Sequence, residues 1–249
     1  YDQHDFIALV EKHGIAYHER DHGQLFCDDS AQQIIDMLRD EARDAVIQTG
    51  TAVERVSANG TGFAVETSRG PYAARALVIA SGGPSIPKMG ATGFGYEIAR
   101  QFGLKVIAPR AGLVPLTFDP DMKARMEGLS GVSVNATAAH GKTSFTEALL
   151  FTHRGLSGPV ILQISSYWNP GDAIMLDLLP GIDAFATLKD FKQSEPRKEV
   201  STVLSQMLPR RLAQRLAVWT GCGGRLAETP DRSLRALGDH INRWQIKPT

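Results

Sequence analysis

The sequence is poor in the residues that cross-link a chain or hold a metal. Only two cysteines occur in 249 residues, Cys27 and Cys222, and neither belongs to a CxxC or Cys/His ligand pattern. They read as free thiols of a reducing, cytoplasmic compartment. The seven histidines are scattered, with no HExxH-type spacing to support a metal site. An excess of charge of either sign is also missing. Lys plus Arg and Asp plus Glu both number 27, so the net charge is zero. Without a global field to recruit a polyanion, neither nucleic acid nor membrane is expected as a partner. Apolar runs such as Ala76-Leu77-Val78-Ile79-Ala80 are far too short to cross a bilayer. Tyr1-Asp2-Gln3-His4 offers no initiator Met, basic n-region or signal-type apolar core, and Tyr1 reads as a cut end.

The remainder is ordinary for a globular protein. Hydrophobic residues make up 43% and charged residues 22%, and the length favours one large domain or two modest ones. Phe6, Leu9, Val10 and His13 share one helical face, Gly14 suits its C-cap, and Ile15–His18 reads as a short strand. Asp28, Asp29 and Ser30 form an N-cap cluster before a second helix carrying Ile34, Ile35, Leu38 and Ala42. Residues 45–48 and 52–56 read as strands, and a hairpin follows over 63–74. Residues 76–80 read as a fully buried strand. The pattern changes near Pro109. Leu113–Phe118, Val132–Ala138 and Ala173–Leu178 are β-type, and a helix can start after Gly158-Pro159. From Ala184 to His240 the spacing is helical, through Leu204, Leu208, Leu212, Leu216 and Trp219. A boundary near residue 108 follows, with 109–181 β-rich and 182–243 helical.

The most informative stretch is Ala80-Ser81-Gly82-Gly83. A strand ending in small residues and two glycines lets its backbone approach something flat or charged. Alone, the same string is a tight turn. A second loop, Gly90-Ala91-Thr92-Gly93-Phe94-Gly95, opens directly into the helix Tyr96–Phe102. Such a loop offers unpaired N–H groups and the positive end of the helix dipole to an electron-rich ligand, although it also serves as a plain connector. No Gly-Lys-Ser/Thr follows, which excludes a Walker loop.

With Gly23–Cys27, Leu113-Val114-Pro115-Leu116, Leu129-Ser130-Gly131-Val132 and Leu149–Pro159, these residues resemble the BaiN and aminoacetone-oxidase-type family of bacterial NAD(P)/FAD-dependent oxidoreductases, from end to end. The resemblance implies an α/β fold. Residues 1–108 would be part of a Rossmann-like, glutathione-reductase-like FAD-binding domain. Residues 109–249 would be an inserted substrate-side domain, β-rich with a helical appendage. It implies an FAD-dependent oxidoreductase acting on a small organic substrate, with NAD(P)H implied by the family name alone. Ala80, Ser81, Gly82 and Gly83 match the strand end that lies along FAD, Ser81 standing for the usual Thr. Val53 matches the position whose backbone faces the adenine. Thr92, Gly93 and Phe94 match the loop near the isoalloxazine, with Phe94 where relatives often carry Asp.

The family's N-terminal Gly-x-Gly-x-x-Gly loop and C-terminal Gly-Glu and Gly-Gly-Tyr-type motifs do not occur. The chain is therefore expected to be an internal piece whose residues 1–108 expose apolar strand faces. The alternative is a non-catalytic truncated module that keeps the inserted domain for interaction. No catalytic residue is assigned. His153-Arg154 could move a proton and orient an acidic group, but fixing a turn together with Thr152 is the favoured role. Arg210, Arg211 and Arg215 read as a solvated helix face, and Cys222 as an incidental thiol in a flexible loop.

Overall fold

The computed structural model describes residues 1–20 and 23–249, in two compact units, Tyr1–Lys105 and Val106–Thr249. The first unit opens with α1 (Gln3–Lys12). Asp2 caps it by accepting the His4 and Asp5 N–H groups, and Asp5 Oδ2 accepts the Asp2 N–H at 2.7 Å in return. Gly14, at φ +66°, turns the chain into β1 (Tyr17–Arg20), which pairs antiparallel with β2 (Gln24–Cys27). Helix α2 (Gln32–Glu41) follows. Val10, Ile15 and Met37 form a small core between these elements, and Glu41 Oε1 receives His13 Nε2 at 2.8 Å and Lys12 Nζ at 3.0 Å. An antiparallel meander, β3 (Val53–Ala58), β4 (Phe63–Thr67) and β5 (Gly70–Ala74), precedes α3 (Phe94–Gln101). Gln101 Nε2 donates to the Val56 carbonyl at 2.6 Å, and Phe102 meets Phe63 edge to face at 5.8 Å.

Two expected strands are missing. Residues 45–48 and 76–80 are not in strand conformation and pair with no other strand among the described residues. Val46 is 86% and Val78 84% exposed. A parallel strand is stabilised only by neighbours on its edges and cover on its faces. Every ladder among the described residues is antiparallel, so none of them builds a Rossmann-type sheet. The fold is mixed α/β, without that refinement.

The second unit carries β6 (Leu116–Thr117), α4 (Pro120–Arg125), β7 (Ser133–His140), β8 (Thr143–Thr152), β9 (Gly155–Ser157), α5 (Pro159–Ser165) and β10 (Ile174–Asp177). Helices α6 (Ala184–Ser194), α7 (Val200–Leu204), α8 (Arg210–Trp219) and α9 (Asp231–Asn242) follow, then β11 (Trp244–Ile246). The sheet runs in the order β11-β10-β7-β8-β9-β6. Its two edges approach each other, because the Thr249 N–H just beyond β11 donates to the Thr117 carbonyl of β6 at 2.9 Å. The sheet is thus curled toward a barrel. Alternate residues of β7 and β8, such as Ala136, Ala138, Leu149 and Phe151, point inward against Val160, Ile161 and Ile164 of α5. The helices extend this core through Leu188, Leu204, Leu212, Leu216, Leu234 and Leu237. Gly238 permits the close crossing of α9 on α6, since a β-carbon there would lie 2.7 Å from Phe185 Cβ. Trp244–Ile246 extends the sheet through β10.

Candidate functional site

In Tyr1–Lys105 the two glycine loops of the sequence come together. Gly95, in the first turn of α3, faces the 79–82 segment so closely that a β-carbon would lie 3.0 Å from Ser81 Oγ and 3.3 Å from Ile79 Cγ2. At Gly83 it would lie 2.8 Å from the Tyr96 hydroxyl. These two glycines serve the packing of the chain on itself. Gly82 differs: its φ is +69° and the space beside it is open to 4 Å, so its backbone is accessible to a ligand. No side chain of N-cap Gly93 closes the start of α3, and Thr92 Oγ1 accepts the Phe94 N–H at 3.3 Å.

Beside these loops opens a largely apolar cavity of about 620 Å³, walled by Phe63, Leu77, Ile79, Tyr96 and Phe102. Of the residues expected to bind the cofactor, Ser81 and Gly82 line it. Gly83, Gly93 and Phe94 adjoin it through Tyr96 and Gly95. Ala80 and Thr92 are exposed beside it in sequence, whereas Val53 pairs with Thr67 at the start of β3, outside the lining. The aromatic wall was missed. Tyr96, Ala99 and Phe102 recur at helical spacing, and that stripe was the available signal.

In Val106–Thr249 a depression of about 460 Å³ lies between α4, the following loop and the β8–β9 turn, with Lys123, Glu127, Ser130, Thr152 and His153 in its wall. Thr152 alone fixes the turn: its Oγ1 donates to the Gly155 carbonyl at 3.1 Å and accepts the Arg154 and Gly155 N–H groups at 3.3 and 3.2 Å. The His153 and Arg154 side chains, expected to share that role, are exposed instead. Arg211 and Arg215 are more than a solvated face. Arg211 Nη1 donates to the Gly128 and Ser130 carbonyls at 3.2 and 3.3 Å. Arg215 reaches the Arg125 and Ala124 carbonyls at 2.8 and 3.0 Å.

His240 lies against Trp219 and Trp244, its Nε2 buried without a hydrogen-bond partner. Burial, and then the Arg125 charge, hold its pKa below the usual imidazole value. Cys222, expected in a flexible loop, is a core residue at 1% exposure. Among the described residues no cluster of His, Cys, Asp and Glu could hold a metal, and no helix is long and apolar enough to cross a membrane.

Residues 110–249 match the HI0933-like protein barrel and H2TH domain. The whole chain is 43% identical over 259 residues to the ribosomal RNA dihydrouridine synthase of Escherichia coli K12. It is 40% identical over 260 residues to the protein of that name from Haemophilus influenzae Rd. It spans 63% and 64% of their lengths. Neither of these two bears a BaiN or aminoacetone-oxidase name. They also overturn the expectation that nucleic acid is no partner, since both are named for ribosomal RNA. That expectation rested on a sum. Val106–Thr249 carries 17 Lys and Arg against 13 Asp and Glu, a net charge of +4, and Tyr1–Lys105 carries 10 against 14, a net charge of −4. A zero total hides a basic unit behind an acidic one.

Proposed function

The chain belongs to the HI0933-like family, and on that premise we propose that it is part of an FAD-dependent reductase that converts uridine to dihydrouridine in ribosomal RNA. The reading is carried by one arrangement: the open Gly82 backbone and the glycine-capped start of α3 meet beside an apolar cavity walled by Phe63, Ile79 and Phe102. A flat ring with a polar edge fits that chemistry, because glycine backbone admits close approach while the apolar wall covers the ring. FAD, when bound and reduced by an electron donor, would supply the hydride for reduction of the uracil double bond, with a proton completing the saturated ring. Ala80–Gly83 and Thr92–Phe94 would hold it, the Ser81 hydroxyl bonding a polar edge, with Val53 toward the adenine side.

Residues 1–108 are read as part of the FAD-binding domain and 109–249 as the substrate-side domain. The rest of the full-length protein, which in the relatives is more than a third of the chain, would supply strands that pair with 45–48 and 76–80. Ribosomal RNA replaces a small organic molecule as substrate on the names of the relatives. NAD(P)H is one candidate electron donor.

The test is chemical. Ribosomal RNA from cells lacking the protein is incubated with the full-length enzyme, FAD and dithionite, then digested and its nucleosides weighed by mass spectrometry. Uridine gaining two hydrogens is expected. An enzyme that keeps its yellow flavin through desalting yet leaves uridine unchanged would refute the RNA substrate. One that loses all flavin on desalting would refute tight FAD binding.

A further inference from the structure

We propose that the cationic rim formed by α4, the β8–β9 turn and the first turn of α8 binds the phosphate backbone of the RNA, with the 460 Å³ depression receiving one nucleotide. This rests on the RNA reading above and deepens it by naming the contact surface. Lys123 lines the depression, and Arg154 follows directly after its lining residue His153. Arg211 is bonded to the carbonyls of Gly128 and Ser130, both in the wall, so the α8 start abuts the same depression. Arg215 ties α8 to the carbonyl of Ala124, also in the wall. One groove therefore gathers cations from three separate segments of the chain.

The placement of Arg210 is not explained by fold stability. Arg210 and Arg211 occupy the first turn of α8, which has no acidic residue and no side-chain cap. The helix dipole disfavours cations at that end; Arg211 offsets this through its bonds to the Gly128 and Ser130 carbonyls, whereas the Arg210 charge reinforces a positive potential instead. No ion pair joins Lys123, Arg125 or Arg210 to a carboxylate among the described residues. Glu127 is the one carboxylate in the wall. The wall also offers the Ser130 hydroxyl and the His153 imidazole, groups suited to ribose and base edges. The volume is of nucleotide size, and the clamped 124–130 segment presents it without needing to order on binding. A basic groove on a unit of net charge +4 is complementary to an RNA strand.

The experiment measures fluorescence anisotropy of a fluorescein-labelled, uridine-containing RNA hairpin with the full chain across a salt series. The variant combines Lys123→Glu, Arg154→Glu and Arg210→Glu, all exposed side chains. The control is Lys142→Glu, at the opposite end of the β7–β8 hairpin. The triple variant is expected to lose about tenfold or more in affinity and to flatten the salt slope by about 2, while the control stays within about twofold. Should the triple variant misfold, the three Gln replacements made singly are each expected to lower the slope by somewhat less than about 1. RNA binding by the parent with unchanged affinity and slope in the variants overturns the surface and leaves the RNA substrate standing. No binding by the parent itself overturns both.

Discussion

His240 and Trp219 meet edge to face, their ring centroids 5.8 Å apart and their planes at 69°. The contact is part of an aromatic cluster with Trp244, whose ring lies 5.6 Å from each, and Trp219 Nε1 donates to the Arg125 carbonyl at 2.9 Å. A protonated imidazole fits this site badly, since burial and the Arg125 guanidinium both oppose its charge. The folded state therefore lowers the His240 pKa below its unfolded value of about 6.5. Between the two values the unfolded chain binds the extra proton, so stability falls as pH drops below about 6.5 and the loss levels off below the folded pKa. Replacing His240 with Phe keeps the ring and removes the titration. The variant is expected to gain stability over the parent near pH 5 and to differ little near pH 8, in thermal melts at both. Equal differences at both pH values would assign the effect to packing alone.

Asn242 joins three elements at the end of α9. Its Oδ1 accepts the Ala184 N–H at 2.9 Å, and its Nδ2 donates to Asp177 Oδ1 and the Ile182 carbonyl, each at 2.9 Å. Asn242→Ala leaves these half-buried groups without partners, so urea denaturation should read a loss of roughly 2–3 kcal/mol. Asn242→Asp is expected to cost more, because it keeps the acceptor, discards both donors and sets a second carboxylate beside Asp177. If the Asp variant proved as stable as the parent, the Nδ2 bonds would carry no weight.

Glycines of the sheet separate into two kinds. At Gly155, φ is +150° and a β-carbon would lie 2.1 Å from the Leu116 carbonyl oxygen, backbone of the paired strand β6. Gly141 also has positive φ, at +59°, but open space around it. Gly141→Ala should cost only the left-handed penalty of about 1–2 kcal/mol. Gly155→Ala must part β9 from β6, and a loss above about 4 kcal/mol or no soluble folded protein is expected. Comparable chemical denaturation midpoints for the two variants would contradict this ordering.

Local signals in the sequence were legible where the structure they specify is local. The helix ended by Gly14, the 63–74 hairpin and the Gly158-Pro159 helix start all form as their residues dictate. The 76–80 run was misread because its apolar character reports the partners a parallel strand requires, and no described residue pairs with it. Trp244–Ile246 was missed as a strand because three residues carry no periodicity of their own, and only pairing with Ile174–Leu176 defines them. Ser81 and Gly82, singled out for their small-residue chemistry, line the cavity. Phe63 was not, because its place in the cavity wall depends on a hairpin folding onto α3. The arginines of α8 were misjudged for a related reason: their carbonyl partners lie more than 80 residues earlier in the chain.

At the proposed flavin site, Gly82 allows cofactor binding to be separated from folding. Its φ of +69° and empty surroundings mean that Ala can be accommodated at the left-handed penalty of about 1–2 kcal/mol, without a steric clash in the chain itself. On the proposed reading, the added methyl would occupy the space through which a flavin approaches the 80–83 backbone. Gly60 supplies the matched control, with φ of +83°, equally open surroundings and a position in the β3–β4 turn, outside the cavity lining. Gly82→Ala and Gly60→Ala in the full-length protein should therefore melt alike. Only Gly82→Ala should weaken FAD binding, by about tenfold or more, read from flavin fluorescence quenching on titration. Equal FAD affinity in both variants would move the flavin away from the 80–83 backbone, whereas equal loss in both would point to backbone strain and not to contact.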